Sequence, residues 1–69
     1  MDRLVMLGFI YKHYKGGEYK VLFIATDSIT NEEVVVYEAL YGKHLIWTMP
    51  LEKFNSYTED GVLRFEEVK

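Results

Sequence analysis

Along most of the chain, hydrophobic and polar residues alternate in short runs, each closed by a glycine, a proline or a polar cluster. Phe9 to Tyr14 is aromatic or β-branched with Lys12 and His13 interspersed. As a pleat it puts Phe9, Tyr11 and His13 on one face and Ile10, Lys12 and Tyr14 on the other. Lys15-Gly16-Gly17-Glu18 reads as a turn, the paired glycines supplying the positive φ of a primed hairpin. Tyr19 to Thr26 is apolar on both faces at its centre, which predicts a central strand. Strict alternation sets Tyr19, Val21, Phe23 and Ala25 on one side and Lys20, Leu22, Ile24 and Thr26 on the other. Asp27 to Glu32 is a polar connection whose side chains bond their own backbone.

The run Val34-Val35-Val36-Tyr37 within Glu33 to Tyr41 has high β propensity and no stripe of period 3.6, so it predicts another strand. Gly42-Lys43-His44 turns into Leu45 to Met49. Pro50 cannot donate to a ladder, so it ends that strand. It then suits the first position of a helical turn reaching Phe54. Asn55 to Thr58 reads as a further strand, Asp60-Gly61 as a hairpin signal and Val62 to Val68 as the last strand. Leu4 to Leu7 extends the first strand or packs across one end of a barrel, with Gly8 as a bend. Five to six short strands with one helical turn near Pro50–Phe54 predict an all-β fold, a small antiparallel SH3-like barrel or rolled sheet. An open curved sheet with one helix is the second choice.

Length makes this one domain, residues 1–69. So short a chain buries only about 60% of its unfolded surface, so its core needs large side chains. The 49% hydrophobic and 16% aromatic content meets that need. The absence of cysteine excludes disulfides and thiolate metal sites and suits a reducing cytoplasm, which is the expected location. No apolar run approaches the ~20 residues of a membrane span, and the N-terminus lacks the leader and cleavage pattern of a signal peptide. A net charge of −3 argues against binding nucleic acid mainly by counterion release. The balance is uneven: residues 1–30 carry four basic and three acidic groups, residues 31–69 four and eight.

Four constellations carry candidate chemistry. Tyr11, Tyr14, Tyr19, Tyr37, Tyr41 and Trp47 can stack bases or cage a cation, or else form the core and rim of a domain too small for aliphatics alone. The second reading is favoured, although so many hydroxyls require some of the rings to reach a surface or groove. Lys12, His13, Lys15 and Lys20 interleave with tyrosines as in a phosphate-contacting patch. Glu18 sits among them, however, and hairpin lysines also guard an edge, so nucleic acid is not favoured. His13 and His44 could share a metal with Glu33 or Glu38, but no ligand spacing is present and a structural imidazole is preferred. Asp27 and Ser28 have triad residue types without a nucleophile elbow. Neither Gly16-Gly17 nor Gly42-Lys43 has the context of a phosphate loop. No enzyme, no cofactor and no metal are expected.

The chain also resembles a bacterial domain-of-unknown-function family, number 1653. The resemblance is carried by Tyr11, His13-Tyr14-Lys15-Gly16, Tyr19, Val21-Leu22, Ala25, Ser28, Thr30, Val35-Val36-Tyr37, Ala39-Leu40-Tyr41-Gly42, Trp47, Pro50-Leu51, Phe54 and Arg64-Phe65-Glu66. It covers nearly all of the chain from Tyr11 onward. Two departures are Asp27, where similar members often have histidine, and Met49, where they often have arginine. The family carries no established activity, and its members also occur joined to other domains, which implies a binding module. The expectation is therefore a non-catalytic binding module, monomeric or weakly dimeric, with a ligand near Tyr11, His13, Tyr14 and Lys15 and with Tyr37, Tyr41 and Trp47 alongside. A structural or protein-interaction domain using an exposed strand edge is the alternative, and a weak single-stranded nucleic-acid binder the next.

Overall fold

A computed structural model of the chain describes residues 5–68. In chain order the elements are β1 (Ile10–His13), β2 (Glu18–Thr26), β3 (Glu33–Ala39), β4 (Ile46–Pro50), α1 (Leu51–Phe54) and β5 (Phe65–Glu67). They form one antiparallel five-stranded sheet in the order β4-β3-β2-β1-β5, with β2 at its centre. The fold is all-β with one short helical turn, and no pairing among the described residues closes it into an SH3-like barrel. Pro50 stands one place earlier than expected, at the N-cap of α1 rather than its first turn. Asn55 to Thr58 forms no strand; only an isolated bridge between Tyr57 and Leu63 remains of it. Leu4 lies outside the described residues, while Val5 packs into the core.

One face of the sheet carries that core. Tyr11, Val21, Val35, Tyr37 and Phe65 point into it from four strands, and Phe54 closes it from α1. The Phe65 ring, on β5, lies 5.6 Å from the Tyr37 ring, on β3. Those strands are three places apart, roughly 14 Å in a flat sheet at the usual strand spacing. The contact therefore requires the sheet to curl over its core face.

A β-bulge aids that curl. The register of β2 against β3 shifts between Val21 and Phe23, so that Val21 faces Tyr37, Phe23 faces Val36 and Ile24 faces Val35. Leu22 is the extra residue, and everything after it changes face. Phe23, which simple alternation puts beside Val21, is instead 63% exposed on the outer face. Ile24 packs against the core in its place.

The first hairpin also differs from the two-glycine primed turn. The Gly16 N–H donates to the His13 carbonyl at 2.8 Å, and the His13 N–H to the Gly17 carbonyl at 2.7 Å. This makes a three-residue loop of Tyr14, Lys15 and Gly16, in which Gly16 alone takes a positive φ, +118°.

Candidate functional site: a tyrosine-walled groove beside the first hairpin

The ring network of the core continues without a break to the surface. Phe54 and Phe65 stack in parallel at 4.2 Å, and Tyr11 meets Phe54 edge-on at 5.3 Å. Tyr37 lies 5.9 Å from Phe54 and 5.3 Å from Tyr19. Tyr19 in turn meets Tyr41 edge-on at 5.5 Å, and the two hydroxyls share a hydrogen bond. Edge-to-face pairs at these separations each add about 0.5–1.5 kcal/mol beyond burial. The series thus supports the outermost ring, Tyr41, from the packed interior.

Gly17 makes room for that ring. A Cβ on Gly17 would stand 2.7 Å from Tyr41 Cε1 and 3.3 Å from Tyr19 Cε1. Its φ is not positive, so close approach is the reason for glycine here. Beside this contact opens a groove of about 680 Å³, lined by His13, Lys15, Gly16, Gly17, Glu18, Tyr19, Leu40 and Tyr41.

His13 closes β1, inside an aromatic box. Its ring lies 4.6 Å from Tyr14, 4.9 Å from Phe65 and 6.4 Å from Tyr19. The Lys15 N–H donates to His13 Nδ1 at 3.1 Å, which places the proton of the neutral imidazole on Nε2. Burial holds the His13 pKa below its usual value, and the positive charges of Arg64 and Lys15 push the same way. A neutral imidazole with one committed acceptor and one N–H donor therefore lines the groove at neutral pH. His13 also lines a second depression of about 450 Å³, with Lys12, Tyr14, Tyr57, Gly61, Val62, Leu63 and Glu66.

Burial pushes the Tyr19 hydroxyl up to about 12, helped by its hydrogen bond with Tyr41 and by the nearby Tyr41 and Tyr37 hydroxyls. Tyr37 is raised as well, by burial and then by Tyr41. Tyr19 therefore lines the groove as a neutral hydrogen-bonding group, and Tyr37 stays neutral beneath it.

The sequence-predicted residues divide by depth. His13, Lys15 and Tyr41 converge on the groove. Tyr14 does not line the groove; it lines the second depression, with the Lys15 ammonium 5.8 Å and the Arg64 guanidinium 5.9 Å from its ring. Tyr11 and Tyr37 are buried, 1% and 6% exposed, and support the wall from beneath. The Tyr11 hydroxyl accepts from the Met6 N–H at 3.0 Å. Trp47 lies opposite Tyr37 on the edge strand β4, half exposed, and is not a lining residue of the groove.

Tyr19, Gly16, Gly17, Glu18 and Leu40 complete the groove. Of these, the Gly-Gly pair next to Tyr19 was the available signal, once read as a close approach rather than a turn requirement.

The other candidate groups are accounted for locally. Asp27 Oδ1 accepts from the Ile29 and Thr30 N–H groups at 2.8 and 3.1 Å, and these bonds, Ile29 first, lower its pKa. His44 Nδ1 pairs with Glu38 Oε2 at 3.3 Å, away from the His13 box. Among the described residues no three His, Cys, Asp or Glu side chains gather as a metal site, and no helix is long and apolar enough to cross a membrane.

No curated protein and no solved structure matches the chain. A family model described as a protein of unknown function (DUF1653) matches residues 9–67, which span β1 to β5 and every residue lining the groove. The chain belongs to that family.

Proposed function

We propose that the chain is a cytoplasmic, non-catalytic binding module whose ligand rests in the groove beside the first hairpin. The observation that carries this reading is the seating of Tyr41 over bare Gly17 backbone, hydrogen-bonded to Tyr19 and backed by rings down to Phe54. A wall held from beneath in this way loses little side-chain freedom when a ligand stacks on it, which favours affinity. The polar groups along the groove are the Lys15 ammonium, the Glu18 carboxylate, the His13 imidazole and the paired phenols. They suit a small planar ligand bearing an anionic group, stacked on Tyr41 and oriented by Lys15. The side chains of Asp27 and His44 are engaged in a turn and in a contact with Glu38, which supports binding over chemistry.

Calorimetric titration with adenosine 5′-monophosphate and with benzoate, two planar anions, tests the reading. Binding that weakens at least tenfold in Tyr41→Ala and severalfold in Lys15→Ala supports it. Binding unchanged by both substitutions, or none at millimolar probe, refutes it.

A further inference from the structure

The two edges of the sheet are protected very differently. β5 is three residues long and carries Glu66 and Glu67. β4, Ile46-Trp47-Thr48-Met49-Pro50, has no charged residue, and all but Met49 are exposed. Ile46 is 61% and Trp47 49% exposed. Native edges are ordinarily blunted by lysine, inward charge or a bulge, and β4 has only its terminal proline.

The direction of its free backbone groups follows from the register. The Ala39 N–H donates to the Leu45 carbonyl at 2.9 Å, so Leu45 turns its main-chain carbonyl inward, toward β3. Antiparallel pairs alternate, so Trp47 and Met49 also turn their main-chain groups toward β3, while Ile46, Thr48 and Pro50 turn theirs outward. The N–H that proline lacks is therefore one that would have faced the open edge. Ile46 and Thr48 are left presenting donors and acceptors to a further strand.

We propose that this edge pairs with β4 of a second copy of the chain, antiparallel, about a two-fold axis at Thr48, so that one sheet runs through both copies. The strand fits itself. Thr48 exchanges main-chain hydrogen bonds with Thr48 of the second copy, and Ile46 stands opposite Pro50, whose carbonyl, at the N-cap of α1, is turned to its own helix. Trp47 stands opposite Met49 of the other copy on the core-side face, giving the half-exposed indole a thioether contact of a favourable kind. The same operation on β5 would set Glu66 against Glu66, which identifies β4 as the associating edge. The groove beside the first hairpin lies off β4, so association and ligand binding are independent.

Sedimentation from micromolar to millimolar concentration, together with single-cysteine cross-linking in this cysteine-free chain, tests the proposal. Across the axis the Thr48 Cα atoms lie about 5.5 Å apart, inside the roughly 4.4–6.8 Å range of a disulfide. Two Ile46 residues are separated by roughly 14 Å along the strand. Thr48→Cys is expected to oxidise to a covalent dimer at least tenfold faster than Ile46→Cys. The wild type is expected to shift from one to two chains with concentration, and Thr48→Lys, with an unchanged circular dichroism spectrum, to remain single. A wild type that stays monomeric throughout overturns the proposal, including one whose β4 edge accepts an added foreign strand. So does a dimer that Thr48→Lys leaves intact, or equal cross-linking at both positions.

Discussion

Gly17 lies beneath the Tyr41 ring so closely that a β-carbon there would stand 2.7 Å from Tyr41 Cε1. Its neighbour Gly16 meets nothing within 4 Å but sits at φ +118°. Two adjacent glycines thus answer to different physics, one to the approach of a side chain and the other to backbone conformation. Gly16→Ala is expected to cost about 1–2 kcal/mol in chemical denaturation, the penalty of an L residue at positive φ. Gly17→Ala is expected to displace the Tyr41 ring and break the Tyr19–Tyr41 hydrogen bond, loosening the wall of the groove. Tyrosine titration in the two variants separates the effects.

Absorbance near 295 nm should resolve one phenol ionising at about pH 12, namely Tyr19. Its ordinary value is 10.0. The unfolded chain therefore ionises first, and the contribution of the neutral Tyr19 is full below pH 10. It declines as pH rises through the folded value. Tyr41→Phe should bring the Tyr19 titration back toward 10 and shrink that alkaline loss of stability.

His13 titrates in the opposite direction. Its folded pKa lies below 6.5, so at acid pH the unfolded chain takes up the proton more readily. Its contribution is intact above pH 6.5 and is lost as pH falls through the folded value. The charged neighbours of the ring are Lys15 and Arg64, and the carboxylates along the grooves it lines are Glu18 and Glu66. Following the His13 ring protons by NMR, Arg64→Gln should raise the pKa, although burial, the larger cause, remains.

Two phenylalanines make opposite stability predictions. Phe54, fully buried and stacked on Phe65, should cost about 3–5 kcal/mol on substitution by alanine, enough to unfold much of so small a domain. Phe23, 63% exposed beyond the bulge, should change stability by no more than about 0.5 kcal/mol as Phe23→Thr. Thermal unfolding followed by circular dichroism checks both.

Legibility in the sequence followed the strength of the local signal. The valine run of β3, the glycine turns and the proline boundary of β4 act over a few residues and lie within a residue of where the sequence puts them, although the first hairpin takes a three-residue loop and Pro50 the N-cap. The face of Phe23 was hidden because residues 21–25 are all apolar. A one-residue bulge at Leu22 leaves no mark in such a run and inverts every side chain after it. The tyrosines show the same limit. Tyr11, Tyr37 and Tyr41 are chemically alike, yet two are core and one is wall, because depth depends on the curl of the sheet and on where α1 covers it. Sheet closure depends on non-local pairing, and no spacing in the sequence encodes it.

Mapping where a ligand binds tests most directly whether the first hairpin and Tyr41 form one ready-shaped ligand groove. In a ¹⁵N–¹H titration with adenosine 5′-monophosphate, the largest shifts are predicted at His13, Lys15, Gly16, Gly17, Tyr19 and Tyr41, with Phe23 and Val36 unmoved. Shifts centred on the outer face around Phe23 and Val36, with the hairpin silent, would contradict it.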